Sequence, residues 1–270
     1  MFAAMLLKNK VAIIYGAGGS VAGAIARSFA SEGAKLFLTG RSQDSIRQLA
    51  DDIIAGGGKA AFAVVDASDE RAVNDHVRKV KQEAGSVDIS FNLTGTPVVQ
   101  NIPLTELSVT QFIDPISISM QTRFVTAIAA AKVMMEQGNG VILTLTATPG
   151  GIGYPYTGGF APTCCAIESF SRNLAAELGV YGVRVVNIRS GGSPDSKVFK
   201  EAIENNPAEM APILKSMEND TMLKRLPLLA DITNVAKFLA SDQAGMITGI
   251  TVDVTGGTTS SLNYRVASRK

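Results

Sequence analysis

The sequence predicts one α/β domain in which a doubly wound parallel sheet of about seven strands carries helices on both faces. Three observations support this fold class. A short apolar run at residues 11–15 stops at a cluster of glycines and gives way to a helical pattern. Further apolar runs then alternate with amphipathic helical segments, which is the pattern of a buried parallel sheet. The 270 residues are 46% hydrophobic and 18% charged, enough to bury a sizeable core.

The segments follow in a regular order. The glycine turn opens a helix with Val21, Ile25 and Phe29 on one face. Six more strands are expected at residues 34–40, 60–66, 87–93, 140–146, 183–189 and 249–254. Further helices are expected at residues 43–54, 68–84, 108–137, 157–181 and 231–240. No linker interrupts this alternation, so residues 1–270 form one domain with an N-terminal extension (1–9) and a C-terminal tail (258–270).

Charge and composition narrow the class of protein. A formal net charge of +1 gives no reason to expect nucleic acid or an acidic membrane as a partner. No apolar run reaches the roughly 18 residues of a membrane span, and the N-terminal MFAAMLL is too short for a signal-peptide core. Cys164 and Cys165 are adjacent, which disfavours an ordinary disulfide. We therefore expect a cytoplasmic protein.

The glycine cluster predicts a phosphate-binding turn. A strand that feeds a glycine turn at a helix start lets backbone approach a pyrophosphate, whose charge the free N–H groups bind. Gly16, Gly18 and Gly19 supply the turn, and Ser20 and Val21 begin the helix. An incidental glycine loop is the alternative from these residues alone. The strand–helix units that follow favour a dinucleotide site.

Several local sequences resemble the short-chain dehydrogenase/reductase family, over nearly the whole chain. The most specific is LADITNVAKFLASDQAGMITGITVDVTGG at residues 229–257, which is similar to the family's closing helix, turn and strand. The glycine loop, the turn at residues 92–95 and residues 183–191 match more loosely. The resemblance implies a Rossmann-type fold and a nicotinamide-dependent oxidoreductase. Ser20 and Ala22 replace two glycines of the family's loop, which is similar to its enoyl-reductase branch.

The end of the second strand predicts NADP(H) in preference to NAD(H). Sites for NAD place a carboxylate there, whereas this chain has Arg41 and Ser42 and no acid before Asp44. The planar fork of an arginine suits a 2′-phosphate, although a solvated arginine at a helix start is the alternative. By resemblance, the remaining cofactor contacts are Asp66 and Ala67 beside adenine, Asn92 and Gly95 on the next turn, and Gly191 after the sixth strand.

The family's catalytic positions carry other residues here. Members use an asparagine, a serine, a tyrosine and a lysine, and the lysine brings the phenol pKa of about 10 towards neutral. The resemblance places Ser119, Ala147, Phe160 and Cys164 at these positions. A one-residue slip brings Thr146 or Thr148 to the serine position. No slip supplies a lysine, because none lies between Val133 and Lys197.

Substitutes for the missing acid are weaker candidates. One hypothesis is that Tyr154 or Tyr156, in the loop before the next helix, donates the proton with Arg123 beside it. Arg123 lies one helical turn after Ser119. Loop aromatics that merely pack over the pocket are the alternative, and Cys164 is expected as a buried structural thiol. Ser193 and Asp195 can reach the pocket rim. The single histidine, His76, is expected on a solvated helix face, and no metal site is predicted.

Residues 194–228 match the family's variable substrate lid. They are rich in apolar side chains, which suit a small apolar or acyl-like molecule, although ordinary packing fits equally well. The lid set comprises Val198, Phe199, Ile203, Met210, Ile213, Leu214, Met217 and Met222. The helices at 108–137 and 157–181 resemble those of the family's subunit interfaces, so we expect a homodimer or homotetramer.

Three functions remain open from the sequence. The first is an NADP(H)-dependent oxidoreductase with a rearranged site, which reduces an activated C=O or C=C bond. The second is a non-catalytic NADP(H)- or ligand-binding protein, a sensor or a subunit. The third is a structural protein without cofactor, against which Arg41, Asp66 and Asn92 argue.

Overall fold

The computed structural model describes residues 5–260, whose strands form one seven-stranded sheet. The strands are β1 Val11–Tyr15, β2 Lys35–Gly40, β3 Lys59–Val64, β4 Ile89–Asn92, β5 Gly140–Ala147, β6 Val183–Ser190 and β7 Thr251–Val254. Their order is β3-β2-β1-β4-β5-β6-β7, and every pair is parallel. The direction of winding changes between β1 and β4, where such sheets open a crevice for ligands. The predicted fold class is confirmed.

Within residues 5–260 the chain forms eight α-helices. They are α1 Ser20–Ser31, α2 Gln43–Ala55, α3 Glu70–Ala84, α4 Val109–Gln137, α5 Phe160–Leu178, α6 Lys197–Asn205, α7 Pro207–Asp220 and α8 Leu229–Ala240. Helices α1, α2 and α8 pack on one face, and α3, α4 and α5 pack on the other. Alternate residues of β1 point to opposite faces of the sheet. Ile14 packs in the core with α1, α2 and α8, whereas Ile13 and Tyr15 pack in the core with α3, α4 and α5. This two-sided burial explains why β1 is apolar throughout.

Several predicted boundaries shift by a few residues. The third strand ends at Val64, two residues before the predicted end, and the fourth is limited to Ile89–Asn92. Helix α5 begins at Phe160 because the preceding loop takes left-handed backbone at Tyr156 and Gly158, with φ of 59° and 55°. Helix α8 begins at Leu229, since the Asp231 carboxylate accepts a hydrogen bond from the Leu228 N–H at 2.8 Å.

The ends of the described chain differ in their packing. Leu7, within the predicted extension, is fully buried in the core with α1 and α2. Residues 258–260 form a short 3₁₀ turn. Residues 1–4 of the predicted extension and residues 261–270 of the predicted tail lie outside the described residues. Within residues 5–260, no helix has the length and apolar character needed to cross a bilayer.

The predicted lid segment forms helices α6 and α7, which lie over the carboxyl end of β6. Phe199 and Met217 approach Gly192 so closely that a Cβ atom there would lie 2.7 Å from the Phe199 ring and 2.5 Å from the Met217 methyl. Val198 points outward and is 74% exposed. The apolar residues of this segment therefore divide between a packed inner side and an outer surface.

His76 corrects one expectation from the sequence. Its helix, α3, is strongly charged, but the imidazole lies on the inward face with Val73 and Val77 and is only 8% exposed. Its Nε2 atom has no hydrogen-bond partner among the described residues. Burial lowers the pKa of His76 from 6.5 to about 4, with a smaller contribution from Lys79. The helix period puts residue 76 on the same face as residues 73 and 80, and this period predicts the burial of His76 better than the charged composition of the helix does.

The buried imidazole makes a stability prediction. His76 binds a proton below about pH 6.5 in the unfolded chain but only below about pH 4 in the folded protein. The free energy of unfolding therefore falls as the pH drops from 6.5 to 4. Relative to His76→Leu, the wild type is expected to lose about 2 kcal/mol more unfolding free energy between pH 7 and pH 4.5. Urea denaturation at the two pH values measures this difference. Parallel pH profiles of the two proteins would contradict it.

Candidate functional site

A cavity of about 710 Å³ opens at the carboxyl ends of β1 to β4. Its lining comes from the glycine turn after β1, the end of β2 with the start of α2, the loop after β3, the loop after β4 and the middle of α4. These residues are Gly16, Gly18, Gly19, Gly40, Arg41, Ser42, Ser45, Ile46, Val65, Asp66, Ala67, Ser68, Thr94, Gly95, Thr96, Pro97, Ile118 and Thr122. The cavity therefore lies where the winding direction changes, which is the expected place for a dinucleotide.

Gly16 shapes the floor of the cavity. Its φ is +73°, and a Cβ atom there would lie 2.7 Å from the Thr94 nitrogen and 2.8 Å from the Leu93 carbonyl. Only glycine combines this backbone conformation with such a close approach of the turn after β4. At Gly18 a Cβ atom would lie 2.6 Å from the Ser45 hydroxyl. Gly16 and Gly18 therefore present backbone without side chains at the turn after β1.

The N-terminus of α1 faces this bare turn. Its N-cap is Gly19, and no side chain caps the first N–H groups. Uncapped N–H groups beside bare backbone suit a pyrophosphate. Ser20 and Val21, predicted as cofactor contacts, begin this helix without lining the cavity itself. The Ser20 hydroxyl instead accepts a hydrogen bond from the Lys197 N–H at the start of α6, at 3.1 Å, and so joins the glycine turn to the lid segment.

Arg41 and Asp66 lie at the β2–β3 end of the cavity. Arg41 is exposed, comes one residue after β2 and is followed by Ser42 in the cavity wall. The Ser68 N–H and hydroxyl donate to Asp66 at 2.9 and 2.7 Å and hold the pKa of that carboxyl below its usual value, with Arg41 contributing less. This end of the cavity thus offers an exposed guanidinium next to a carboxylate held in place.

Asn92 positions the turn after β4 instead of lining the cavity. The buried side chain donates to the Thr122 carbonyl and to the Thr126 hydroxyl at 3.0 and 2.9 Å. Its oxygen accepts from the N–H and the hydroxyl of Thr94 at 3.0 and 2.7 Å. Gly95 follows in the cavity wall. Asn92 therefore ties β4, the turn and α4 together.

Arg123 is buried behind this turn, with 4% of its surface exposed. Nη2 donates to the Thr94 carbonyl at 2.8 Å, and Nη1 donates to the hydroxyls of Thr94 and Thr122 at 3.0 and 3.2 Å. Burial lowers the pKa of Arg123 to about 10, so the group stays charged at neutral pH. One turn earlier on α4, the Ser119 hydroxyl donates to Thr96 at 3.1 Å. Two cavity-lining threonines thus share one buried cation.

Ala147, Phe160 and Cys164 lie where β5 ends and α5 begins. Phe160 is the first residue of α5, and Cys164 follows one turn later with its sulfur against the Ala147 N–H. Burial raises the pKa of the Cys164 thiol to about 11; Glu168 adds a smaller increase, and the Ala147 N–H and Arg123 act in the opposite direction. The thiol is therefore neutral at physiological pH, as expected of a structural cysteine.

The two loop tyrosines do not contact Arg123 in the described residues. Tyr156 is 56% exposed, and its carbonyl accepts from the Asn101 N–H at 2.8 Å, which holds its left-handed backbone. Tyr154 is partly buried, and burial raises its pKa with a further contribution from Asp220. A raised pKa is opposite to what a proton donor near neutral pH needs. The structure thus brings neither tyrosine together with the cation proposed to assist it.

An ion network around the buried Glu168, which the sequence did not predict, supports the loop after β5. Arg189 donates to both oxygens of Glu168 at 2.9 and 2.5 Å, and to Asp253 at 2.9 Å. The Thr146 hydroxyl also donates to Glu168 at 2.9 Å. A Cβ atom at Gly150 would lie 2.4 Å from the Glu168 carboxylate, so the loop backbone rests directly on this pair. The available signal was a charged residue, Arg189, near the carboxyl end of β6.

The remaining predicted residues lie at the edges of the site. Gly191 donates its N–H to the Val254 carbonyl at 2.9 Å and packs against Pro227, outside the cavity lining. Asp195 accepts a hydrogen bond from the Leu229 N–H at 3.0 Å, and the buried Ser193 hydroxyl has no hydrogen-bond partner in the described part of the chain. Among residues 5–260, no group of three or more histidine, cysteine or acidic side chains is arranged to hold a metal ion.

Comparison with known proteins assigns the chain to a family. A family model described as enoyl-(acyl carrier protein) reductase matches residues 16–259, which include the glycine turn, the cavity and the closing helix and strand. The chain belongs to the short-chain dehydrogenase/reductase family. This is an oxidoreductase family that binds NAD(P)(H), and the resemblance seen in the sequence is confirmed at that level.

The relatives and the solved structures agree with this assignment. The chain is 29% identical over 255 residues to an uncharacterized oxidoreductase of Thermotoga maritima, covering 94% of this chain and 99% of the relative. It is 29% identical over 254 residues to the 3alpha-hydroxysteroid dehydrogenase of Mediterraneibacter gnavus, covering 93% and 98%. The crystal structure of levodione reductase superposes with a TM-score of 0.86 at 26% identity, covering 95% and 100%.

Proposed function

We propose that this short-chain dehydrogenase/reductase is an NADP(H)-dependent reductase that transfers hydride to an activated C=O or C=C bond of an apolar substrate through a non-standard site. The observation that carries the proposal is the cavity at the switch point, with glycines in its floor, a helix N-terminus that no side chain of residues 5–260 caps, and an exposed guanidinium at one end. The residues present fit a dinucleotide because Gly16, Gly18 and Gly19 present backbone without side chains in the cavity wall, and Gly16 allows the close approach of the turn after β4. A bound nicotinamide would supply the hydride.

The proposal assigns each part of the cavity a role. Gly18, Gly19 and the start of α1 hold the pyrophosphate, and Asp66 and Ala67 flank the adenine. Arg41 pairs with the 2′-phosphate, with Ser42 beside it. Asn92 and Arg123 hold the turn that carries Thr94 and Gly95 along the other half of the cofactor.

The preference for an activated substrate follows from the residues at the start of α5. Phe160 has no hydroxyl and Cys164 is a neutral thiol, so neither acts as an acid near pH 7. An electron-poor carbonyl or conjugated double bond accepts hydride to give a stabilised anion, which water or a loop tyrosine protonates afterwards. Phe199 and Met217 of the lid segment provide an apolar cover for such a substrate.

Turnover against ketones, quinones and enoyl thioesters tests this reaction, followed by NADPH absorbance. Consumption of NADPH with formation of reduced product is expected, and Phe substitutions at Tyr154 and Tyr156 decide whether a loop hydroxyl takes part. Saturable NADPH binding with no turnover on any class would instead support the non-catalytic sensor or subunit considered from the sequence.

Arg41 makes a specific prediction about cofactor choice. Arg41→Ala is expected to weaken NADPH binding by at least tenfold and to leave NADH binding nearly unchanged, because only NADPH carries the phosphate that a guanidinium binds through charge-assisted hydrogen bonds. The matched control is Arg47→Ala on α2, whose guanidinium lies 5.6 Å from the Phe62 ring centre. Equal weakening of both nucleotides, or none, would contradict the assignment.

A homo-oligomer is part of the proposal. Phe124 on α4 is 54% exposed and lies beside Phe170 on α5, with ring centroids 6.1 Å apart. An exposed aromatic ring that lies against a partly buried one on the neighbouring helix favours association through that face. Light scattering of the wild type and of Phe124→Glu distinguishes a dimer or tetramer from a monomer.

A further inference from the structure

Arg123 carries a buried positive charge that no acid balances within residues 5–260. Its hydrogen bonds to the described residues all go to neutral groups, namely the Thr94 carbonyl and the hydroxyls of Thr94 and Thr122. Its Nε atom is buried and has no hydrogen-bond partner among the described residues. The three contacts fix the guanidinium in one place without neutralising it.

The groups around Arg123 leave its charge uncompensated. Within residues 5–260 the ionisable group that acts on it is the Cys164 thiol, which is neutral at physiological pH. Beyond that thiol lies Glu168, but its two oxygens are both bound by Arg189, which also holds Asp253. An unbalanced buried cation is costly and raises the potential around it, because the surrounding dielectric is low.

This potential reaches the cavity through its wall. Thr94 and Thr122 line the cavity, and both accept hydrogen bonds from Arg123. They lie at the α4 end, away from Arg41 and Asp66 at the β2–β3 end. If the adenosine half of the cofactor takes the Arg41 end, as the proposed function has it, the nicotinamide half extends towards Arg123.

We infer that Arg123 makes the site select the reduced cofactor, NADPH, over NADP⁺. The oxidised nicotinamide ring carries a positive charge that the reduced ring lacks, so a fixed cation nearby raises the energy of the oxidised form alone. At separations of about 10 Å and an effective dielectric of about 20, the repulsion corresponds to an affinity difference of at least tenfold. The protein is then loaded with NADPH and releases NADP⁺ readily, which suits a reductase.

Isothermal titration of NADPH and of NADP⁺ tests the inference, which rests on the proposed function. The wild type is expected to bind NADPH at least tenfold more tightly than NADP⁺. Arg123→Met removes the charge and keeps the length of the side chain, and is expected to bring the ratio towards one, mainly by tightening NADP⁺ binding. Arg123→Lys keeps the charge and is expected to retain most of the ratio.

Other results would overturn the inference. If the wild type binds NADPH and NADP⁺ with nearly equal affinity, the inference is wrong whatever the variants show. The proposed cofactor site then still stands, because both nucleotides bind. The inference is also wrong if Arg123→Met leaves the ratio of the two affinities unchanged. Arg123→Gln is a second neutral variant for the case in which Arg123→Met folds poorly. Failure of the wild type to bind either nucleotide would remove the proposed function together with the inference.

Discussion

Replacement of Gly16 by alanine is expected to destabilise the protein by about 3 kcal/mol and to abolish nucleotide binding. The residue has φ of +73°, and a Cβ atom would lie 2.7 to 2.8 Å from backbone atoms of Leu93 and Thr94. Neither neighbour is a flexible side chain that can move aside, so the β4 turn or the glycine turn must shift. Either movement reshapes the cavity floor.

Gly19→Ala is the matched control in the same turn. Gly19 has φ of −82°, and its added methyl group would meet only the Gly16 carbonyl oxygen, at an ordinary 3.7 Å. Gly19→Ala is expected to lower the free energy of unfolding by less than about 1 kcal/mol. Chemical denaturation measures both variants, and nucleotide titration follows. Equal stabilities for the two alanine variants would show that the close approach at Gly16 is not what limits substitution.

Removing the Arg189 side chain is expected to cost about 3 to 5 kcal/mol of unfolding free energy. Arg189→Met leaves the Glu168 carboxylate buried with only the Thr146 hydroxyl, and leaves Asp253 without its arginine partner. A buried carboxylate that loses its cation pays its full desolvation cost. Because the backbone at Gly150 rests against Glu168, we also expect the loop after β5 to lose its position.

An exposed pair provides the control for this prediction. Arg27 and Asp52 contact each other at 2.9 Å with both side chains exposed, and Arg27→Met is expected to lower the free energy of unfolding far less than Arg189→Met does. Adding Glu168→Met to Arg189→Met is expected to recover part of the loss, since an apolar pair replaces the stranded charge. Urea denaturation of the wild type, the two single variants and the double variant measures these differences in the free energy of unfolding. An Arg189→Met cost no larger than that of Arg27→Met would contradict the prediction.

The parts of the fold and site that the sequence predicted are those encoded locally. The alternation of apolar runs and helices predicts the sheet, and the Gly16 turn between β1 and α1 predicts the cavity floor. Arg41, Asp66 and Gly95 fall in the cavity wall because each follows a strand, and parallel strands end at the same edge of the sheet. Their contact with nucleotide remains a prediction.

The parts that the sequence did not predict depend on side chains meeting across the fold. Arg123 on α4 meets the β4 turn, and Arg189 on β6 meets Glu168 on α5, which no spacing along the chain indicates. His76 lies inward although its helix is charged, because helix period outweighs composition at that position. Ser20 binds the start of α6, 177 residues away in sequence.

The central claim is that the cavity at the switch point binds NADP(H), and parallel fluorescence titrations of the wild type with NADPH and NADH test it most directly. We predict saturable binding of NADPH that is at least tenfold tighter than that of NADH, as expected when a guanidinium pairs with the extra phosphate. Tighter binding of NADH, or no binding of either nucleotide, would contradict the account.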